Sequence, residues 1–191
     1  MVKEILKQIP NFLTISRVFL TFVVVYLIFI KANITSIIII FAVAAITDWL
    51  DGQLARKFNW VSEFGRKADM IADRFLWVGT AAAFVISFGI SGTLKWFHAI
   101  EILFIMSREV IAAPFAFVYF MSGKALPHTT RIAKATTFIQ GFALPSLILS
   151  VYYYKWSFIS IPLSIACAIA GSISAMQYIK QTNPVKRFNK K

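Results

Sequence analysis

Apolar residues in this chain come in long blocks separated by short polar connections, not in the short alternation of a soluble sheet or the narrow stripe of a surface helix. Six blocks stand out, at about residues 12–30, 34–47, 69–90, 96–121, 132–153 and 158–179. Each approaches the length of about twenty residues that a bilayer crossing requires once partly polar ends are allowed. The second block predicts a helix that runs on past the membrane edge through residue 56. Ahead of the first block, residues 2–9 (VKEILKQI) set Val2, Ile5, Leu6 and Ile9 on one helical face and Lys3, Glu4, Lys7 and Gln8 on the other. That pattern suits a short helix lying in the interface. The prediction is an all-α integral membrane protein, one domain over residues 1–191. It comprises an interfacial helix, a bundle of six transmembrane helices over about 12–179, and a basic tail over 180–191. Pro114, Pro145 and Pro162 fall in or at the start of spans, where neighbouring groups can satisfy the freed carbonyls.

Composition supports this class: 59% of the 191 residues are hydrophobic and the mean hydropathy is +0.73. A net charge of +12 raises nucleic acid as a partner, but the basic residues flank apolar runs in short groups, which is the membrane pattern. Of the 20 Lys and Arg, only Lys31, Lys95 and Lys155 fall in the connections opposite the termini. The positive excess places both termini on the cytoplasmic side of the cell (inner) membrane. The tail KQTNPVKRFNKK reads as an anchor for anionic lipid. No small-x-small cleavage site follows the first block, so it is not read as a removed signal. The single cysteine, Cys167, excludes an internal disulfide and reads as a small packing residue. His98 and His128 have no ligand-spaced companions, which argues against zinc.

All four aspartates of the chain (Asp48, Asp51, Asp69 and Asp73) fall within one stretch, DWLDGQLARKFNWVSEFGRKADMIAD. Spacings of three and four put each pair on one helical face, and the residues between can turn the chain back. Four carboxylates in a poorly hydrated site repel unless neutralised. A hard divalent cation, Mg²⁺ or Mn²⁺ as one or two ions, takes oxygen ligands from carboxylates and from substrate phosphates alike. Gly52, Ala55, Gly65, Ala68 and Ala72 would let a bulky ligand lie against the helices, and Arg56, with Lys57 beside it, suits phosphate oxygens. The chemistry is that of metal-assisted phosphoryl transfer at the cytoplasmic surface.

Asp48-x2-Asp51-Gly52-x2-Ala55-Arg56-x8-Gly65-x3-Asp69-x3-Asp73 resembles the signature of the CDP-alcohol phosphotransferase family, with eight specified residues across 26 positions. The resemblance implies transfer of a phosphatidyl group from CDP-diacylglycerol to an alcohol, with release of CMP. It implies metal ligation by Asp48, Asp51, Asp69 and Asp73, and nucleotide binding by Asp48, Gly52, Ala55, Arg56 and Gly65. Asp73, the fourth aspartate, would be the catalytic base. The PNFLTISR opening is similar to the phosphatidylglycerophosphate synthase branch, whose acceptor is sn-glycerol 3-phosphate. Phosphatidylglycerol (giving cardiolipin) and an inositol phosphate are the alternative acceptors.

Polar groups outside the signature extend this reading. Arg108 and Glu109 sit in the middle of the fourth block, where ionisable residues face a cavity or a partner. Arg108 either pairs with Glu109 to hold the bundle or reaches an acceptor phosphate, and the resemblance favours the second. Arg131 and Lys134, entering the fifth block, are similar to that branch's Gly-Lys-x-Lys-Thr segment, with Ala133 and Thr136 as departures. Arg108, Arg131 and Lys134 are the expected acceptor-binding residues. Arg17 faces the site or a structural partner. Glu101 fits pairing or a homodimer contact as well as chemistry. A cation transporter is the rival class, but it needs ionisable groups near mid-membrane with access from both sides, and the aspartates lie at span ends.

Overall fold

The computed structural model of the chain describes residues 9–58, 63–121 and 130–182. The predicted interfacial helix up to residue 8, the tail from residue 183 and His128 lie outside the described residues. Seven α-helices account for nearly all of what is described: α1 (Ile9–Phe29), α2 (Ile34–Lys57), α3 (Glu63–Ile90), α4 (Trp96–Ile105), α5 (Ser107–Met121), α6 (Arg131–Tyr152) and α7 (Ser157–Thr182), with one 3₁₀ turn at Tyr154–Trp156. No strand occurs among the described residues. Runs such as IIIIF, whose β-branched residues favour strands in water, are helical here because a segment in lipid must satisfy its backbone groups internally.

Helix ends follow local chemistry. Pro10 stands in the first turn of α1, where its missing N–H costs nothing. At the other end Lys31 takes φ 50°, its N–H bonds Ile28 O at 3.1 Å and the Ala32 N–H bonds Leu27 O at 3.0 Å. α3 closes the same way on Gly92 (φ 67°), with Gly92 N to Gly89 O at 3.0 Å and Thr93 N to Phe88 O at 3.2 Å. Both are Schellman caps. Asn33 Oδ1 opens α2 by accepting from Thr35 N at 2.9 Å, and Thr130 opens α6 by accepting from Ala133 N at 3.2 Å.

The chain forms two compact units, residues 1–94 and 95–191. In the first, α1 packs on α2 and α3 around buried Val24, Ile28, Ile37, Phe41, Leu76 and Phe84. Ser87 Oγ donates to Ile28 O at 3.1 Å across this core. In the second, α7 packs on α4, α5 and α6 around Ile105, Leu144, Leu147, Ile148 and Cys167.

Large apolar side chains such as Phe12, Phe19, Phe138, Phe158 and Ile169 cover the outside, an arrangement that lipid, not water, rewards. Four segments are long and apolar enough to cross a membrane: Phe12–Phe29, Ile71–Ile90, Arg131–Tyr152 and Tyr154–Gln181. The apolar helices Ile34–Thr47 and Trp96–Ile105 are shorter. The fourth block, expected as one helix, is interrupted at Met106, and the cause lies in the second unit's polar core, described below.

Candidate active site

The aspartate stretch folds as the turn-proximal half of a helical hairpin. Asp48, Asp51, Gly52, Ala55 and Arg56 lie in the C-terminal part of α2, and Gly65, Asp69 and Asp73 in the N-terminal half of α3. The side chains of 48, 51–57 and 61–70 lie outside the described ones. Phe41 of α2 meets Trp77 of α3 edge-on, ring centroids 5.4 Å apart at 77°, so the chain reverses between the two helices. At 1.5 Å per residue, Asp48 and Asp51 stand about 10 and 15 Å along α2 from that contact, and Asp73 and Asp69 about 6 and 12 Å along α3. The two pairs therefore occupy the same band of the hairpin.

Asp73 is half-buried, and its Oδ1 accepts a hydrogen bond of 2.9 Å from Trp77 Nε1. Ala72 and Leu76, beside it on α3, are buried. Arg17 is fully buried in α1, the helix that packs on both arms of the hairpin, and Thr21 Oγ1 donates to its carbonyl at 2.8 Å.

The second unit holds a separate polar cluster at the helix interruption. Met106 N still bonds Ile102 O at 2.8 Å, and the ladder resumes with Val110 N to Met106 O at 2.9 Å. The carbonyl of Ile105 instead accepts from Gln140 Nε2 of α6 at 2.7 Å. A side chain inserted into a helix ladder is a recognised cause of such breaks, and no Pro or Gly lies within seven residues of Met106. Gln140 Nε2 also donates to Glu109 Oε2 at 2.9 Å. The other oxygen, Glu109 Oε1, takes Arg108 Nε at 2.8 Å and pairs with Nη2. Arg108 Nη1 completes the set, donating to Thr137 Oγ1 at 2.6 Å and to Ala133 O at 3.1 Å. Arg108 thus lies against the first two turns of α6, the segment that carries Arg131 and Lys134, both exposed. Two of the three expected acceptor residues thus flank the contact that Arg108 makes.

α7 closes on this cluster from the other side. Ser107 Oγ donates to Cys167 O at 3.1 Å. A Cβ on Gly171 would stand 2.3 Å from Ser107 Oγ and 3.1 Å from the Arg108 backbone nitrogen, so glycine is what lets the two helices approach. Glu101 is buried and accepts from Ser160 Oγ at 3.2 Å; it is paired within its own unit. The aspartate hairpin belongs to the first unit, and the Arg108 cluster and Glu101 belong to the second.

Trp77 and Gly171 escaped the sequence reading. Trp77 had a signal: an indole, which only donates, stands four residues after a carboxylate. Gly171 had none, since only the approach of a helix some sixty residues away in the chain gives it meaning.

The described residues are helical, with helices long and apolar enough to cross a membrane and paired aspartates on a hairpin, which defines a membrane protein with an acidic candidate site. The CDP-alcohol phosphatidyltransferase profile matches residues 7–170, and the chain belongs to that family. Its relatives include three proteins named CDP-diacylglycerol–glycerol-3-phosphate 3-phosphatidyltransferase. That of Rickettsia typhi (strain ATCC VR-144 / Wilmington) is 35% identical over 148 residues, 75% of this chain and 78% of the relative. That of Wigglesworthia glossinidia brevipalpis is 33% identical over 176 residues, 88% of each chain. That of Shigella flexneri serotype 5b (strain 8401) is 29% identical over 175 residues, 90% of this chain and 93% of the relative.

Proposed function

We propose that the protein transfers the phosphatidyl group of CDP-diacylglycerol to sn-glycerol 3-phosphate, giving phosphatidylglycerophosphate and CMP. The observation that carries the acceptor is the name shared by relatives that span three quarters or more of this chain. The acceptor hydroxyl attacks the lipid-side phosphorus, the bond from that phosphorus to the CMP oxygen breaks, and the hydroxyl proton passes to a carboxylate, Asp73.

The donor set on the hairpin, four carboxylates in one band of two helices, fits a hard cation with oxygen ligands. Asp48, Asp51, Asp69 and Asp73 would hold one or two Mg²⁺ or Mn²⁺ ions. Such a cation supplies charge neutralisation for the departing CMP. Gly52, Ala55, Arg56 and Gly65 line the same helices and would receive the nucleotide with Asp48. For the anionic acceptor, Arg108 would act with Arg131 and Lys134 at the start of α6, where the helix N-terminus adds positive potential.

In this reading the shorter helices Ile34–Thr47 and Trp96–Ile105, the latter continued by α5, complete six crossings. The Lys and Arg excess turns the aspartates and both termini to the cytoplasmic face of the inner membrane. A CMP-release assay on purified protein with CDP-diacylglycerol, Mg²⁺ and a panel of alcohols tests the function. Release with glycerol 3-phosphate is expected. A preference for phosphatidylglycerol, an inositol phosphate or an uncharged alcohol refutes the acceptor, and no release with any refutes the activity.

A further inference from the structure

A carboxylate on a helix has a soft terminal torsion, broad and roughly two-fold, so an aspartate that must present an oxygen in one direction needs something to hold its plane. In this hairpin the Asp73 side chain accepts a hydrogen bond from the indole of Trp77, at 2.9 Å from Nε1 to Oδ1. Trp77 is 3% exposed, and its ring is wedged edge-on against Phe41 of α2. The indole is therefore held by packing on the neighbouring helix. In a helix, side chains lean toward the N-terminus over the preceding turn, which carries the N–H from position 77 back onto position 73.

The choice of donor has chemical consequences. An indole N–H donates only, so it neither ligates a cation nor takes a proton from a substrate hydroxyl. A lysine or arginine at this position would bring a positive charge beside the carboxylate and compete with a metal, and a histidine would compete for it as a ligand. Indole orients the oxygen and leaves the negative charge in place. A buried tryptophan N–H needs an acceptor in any case, and here Asp73 is that acceptor.

We infer that Trp77 is a positioning residue for Asp73, holding its carboxylate in the direction from which it ligates the metal and receives the acceptor proton. The inference rests on the metal-dependent reading of the aspartates given above.

The test uses the full-length protein in micelles and measures Mn²⁺ binding from the free-ion EPR signal, with kcat followed in parallel. Trp77→Phe keeps a ring against Phe41 and removes the donor. Trp77→Gln keeps an N–H at a spacing from which glutamine bonds aspartate and sacrifices the packing. Partners that orient metal ligands are typically worth about 10- to 100-fold in metal affinity or activity. Trp77→Phe should weaken Mn²⁺ binding and lower kcat within that range while its metal-free melting temperature stays near wild type. Trp77→Gln should melt lower than Trp77→Phe and bind Mn²⁺ more tightly. Trp77→Met, which fills space without a donor, replaces the Phe variant if that variant does not accumulate. Wild-type Mn²⁺ affinity in Trp77→Phe, or Gln binding no better than Phe, overturns the positioning role alone. A wild-type protein that binds no Mn²⁺ overturns the metal reading and this inference with it.

Discussion

Gln140→Leu tests whether the second unit's polar cluster is one connected device. Gln140 is fully buried, and its amide nitrogen serves two acceptors, Ile105 O at 2.7 Å and Glu109 Oε2 at 2.9 Å. Leucine fills similar space and removes both bonds. Hydrogen bonds between membrane helices average about 0.6 kcal/mol and reach about 1.7, while a bond to a charged acceptor in a protein interior is worth about 1.5–3. Glu109 keeps Arg108 as a partner, which limits the loss. Gln140 Oε1, buried with no hydrogen-bond partner among the described residues, is removed as well, which offsets part of it. The expected cost is therefore about 1–3 kcal/mol, below the plain sum of one ordinary and one charge-assisted bond because of these two offsets. Gln140→Glu is nearly isosteric but turns an oxygen toward two acceptor oxygens, so it should cost more than leucine. Function should follow, because Glu109 orients Arg108. Acceptor KM should rise about tenfold, equivalent to about 1.4 kcal/mol, with the CDP-lipid KM unchanged. SDS titration of the folded protein and CMP release at varied acceptor concentration provide the two measurements. If leucine leaves both the unfolding midpoint and the acceptor KM at wild-type values, or if Glu is milder than Leu, the cluster does not hold Arg108.

Three further outcomes are expected. Gly171→Ala places a methyl group against Ser107 Oγ and the Arg108 backbone nitrogen; overpacking of this kind costs about 1–3 kcal/mol, and an unchanged SDS midpoint would show that α7 can retreat freely. Asp69→Asn should abolish CMP release in a protein that still melts cooperatively, and wild-type enzyme in excess EDTA should behave the same way; full activity in EDTA removes the metal from the mechanism. Gly52→Leu should raise the KM for CDP-diacylglycerol steeply, and an unaltered nucleotide affinity would place the pocket elsewhere.

The apolar blocks alone determine that the described chain is helical and where most helices run, because a backbone in lipid must bond within its own segment. The expectation of a helix through residue 56 agrees with α2 ending at Lys57, and that of a break after residue 90 with α3 ending at Ile90. Aspartate spacing on those helices is equally local, so the candidate site can be read from spacing of three and four residues. The interruption at Met106 is different in kind. Residues 101–110 (EILFIMSREV) contain neither proline nor glycine, and the break is held by Gln140, 35 residues away. The division of Arg108 between Glu109, Thr137 and Ala133 depends on α6 lying alongside α5. Contact between Phe41 and Trp77, 36 residues apart, brings the two arms of the aspartate hairpin together. Such contacts join residues whose separation in the chain carries no periodic signal, and only the packed helices bring them within bonding distance.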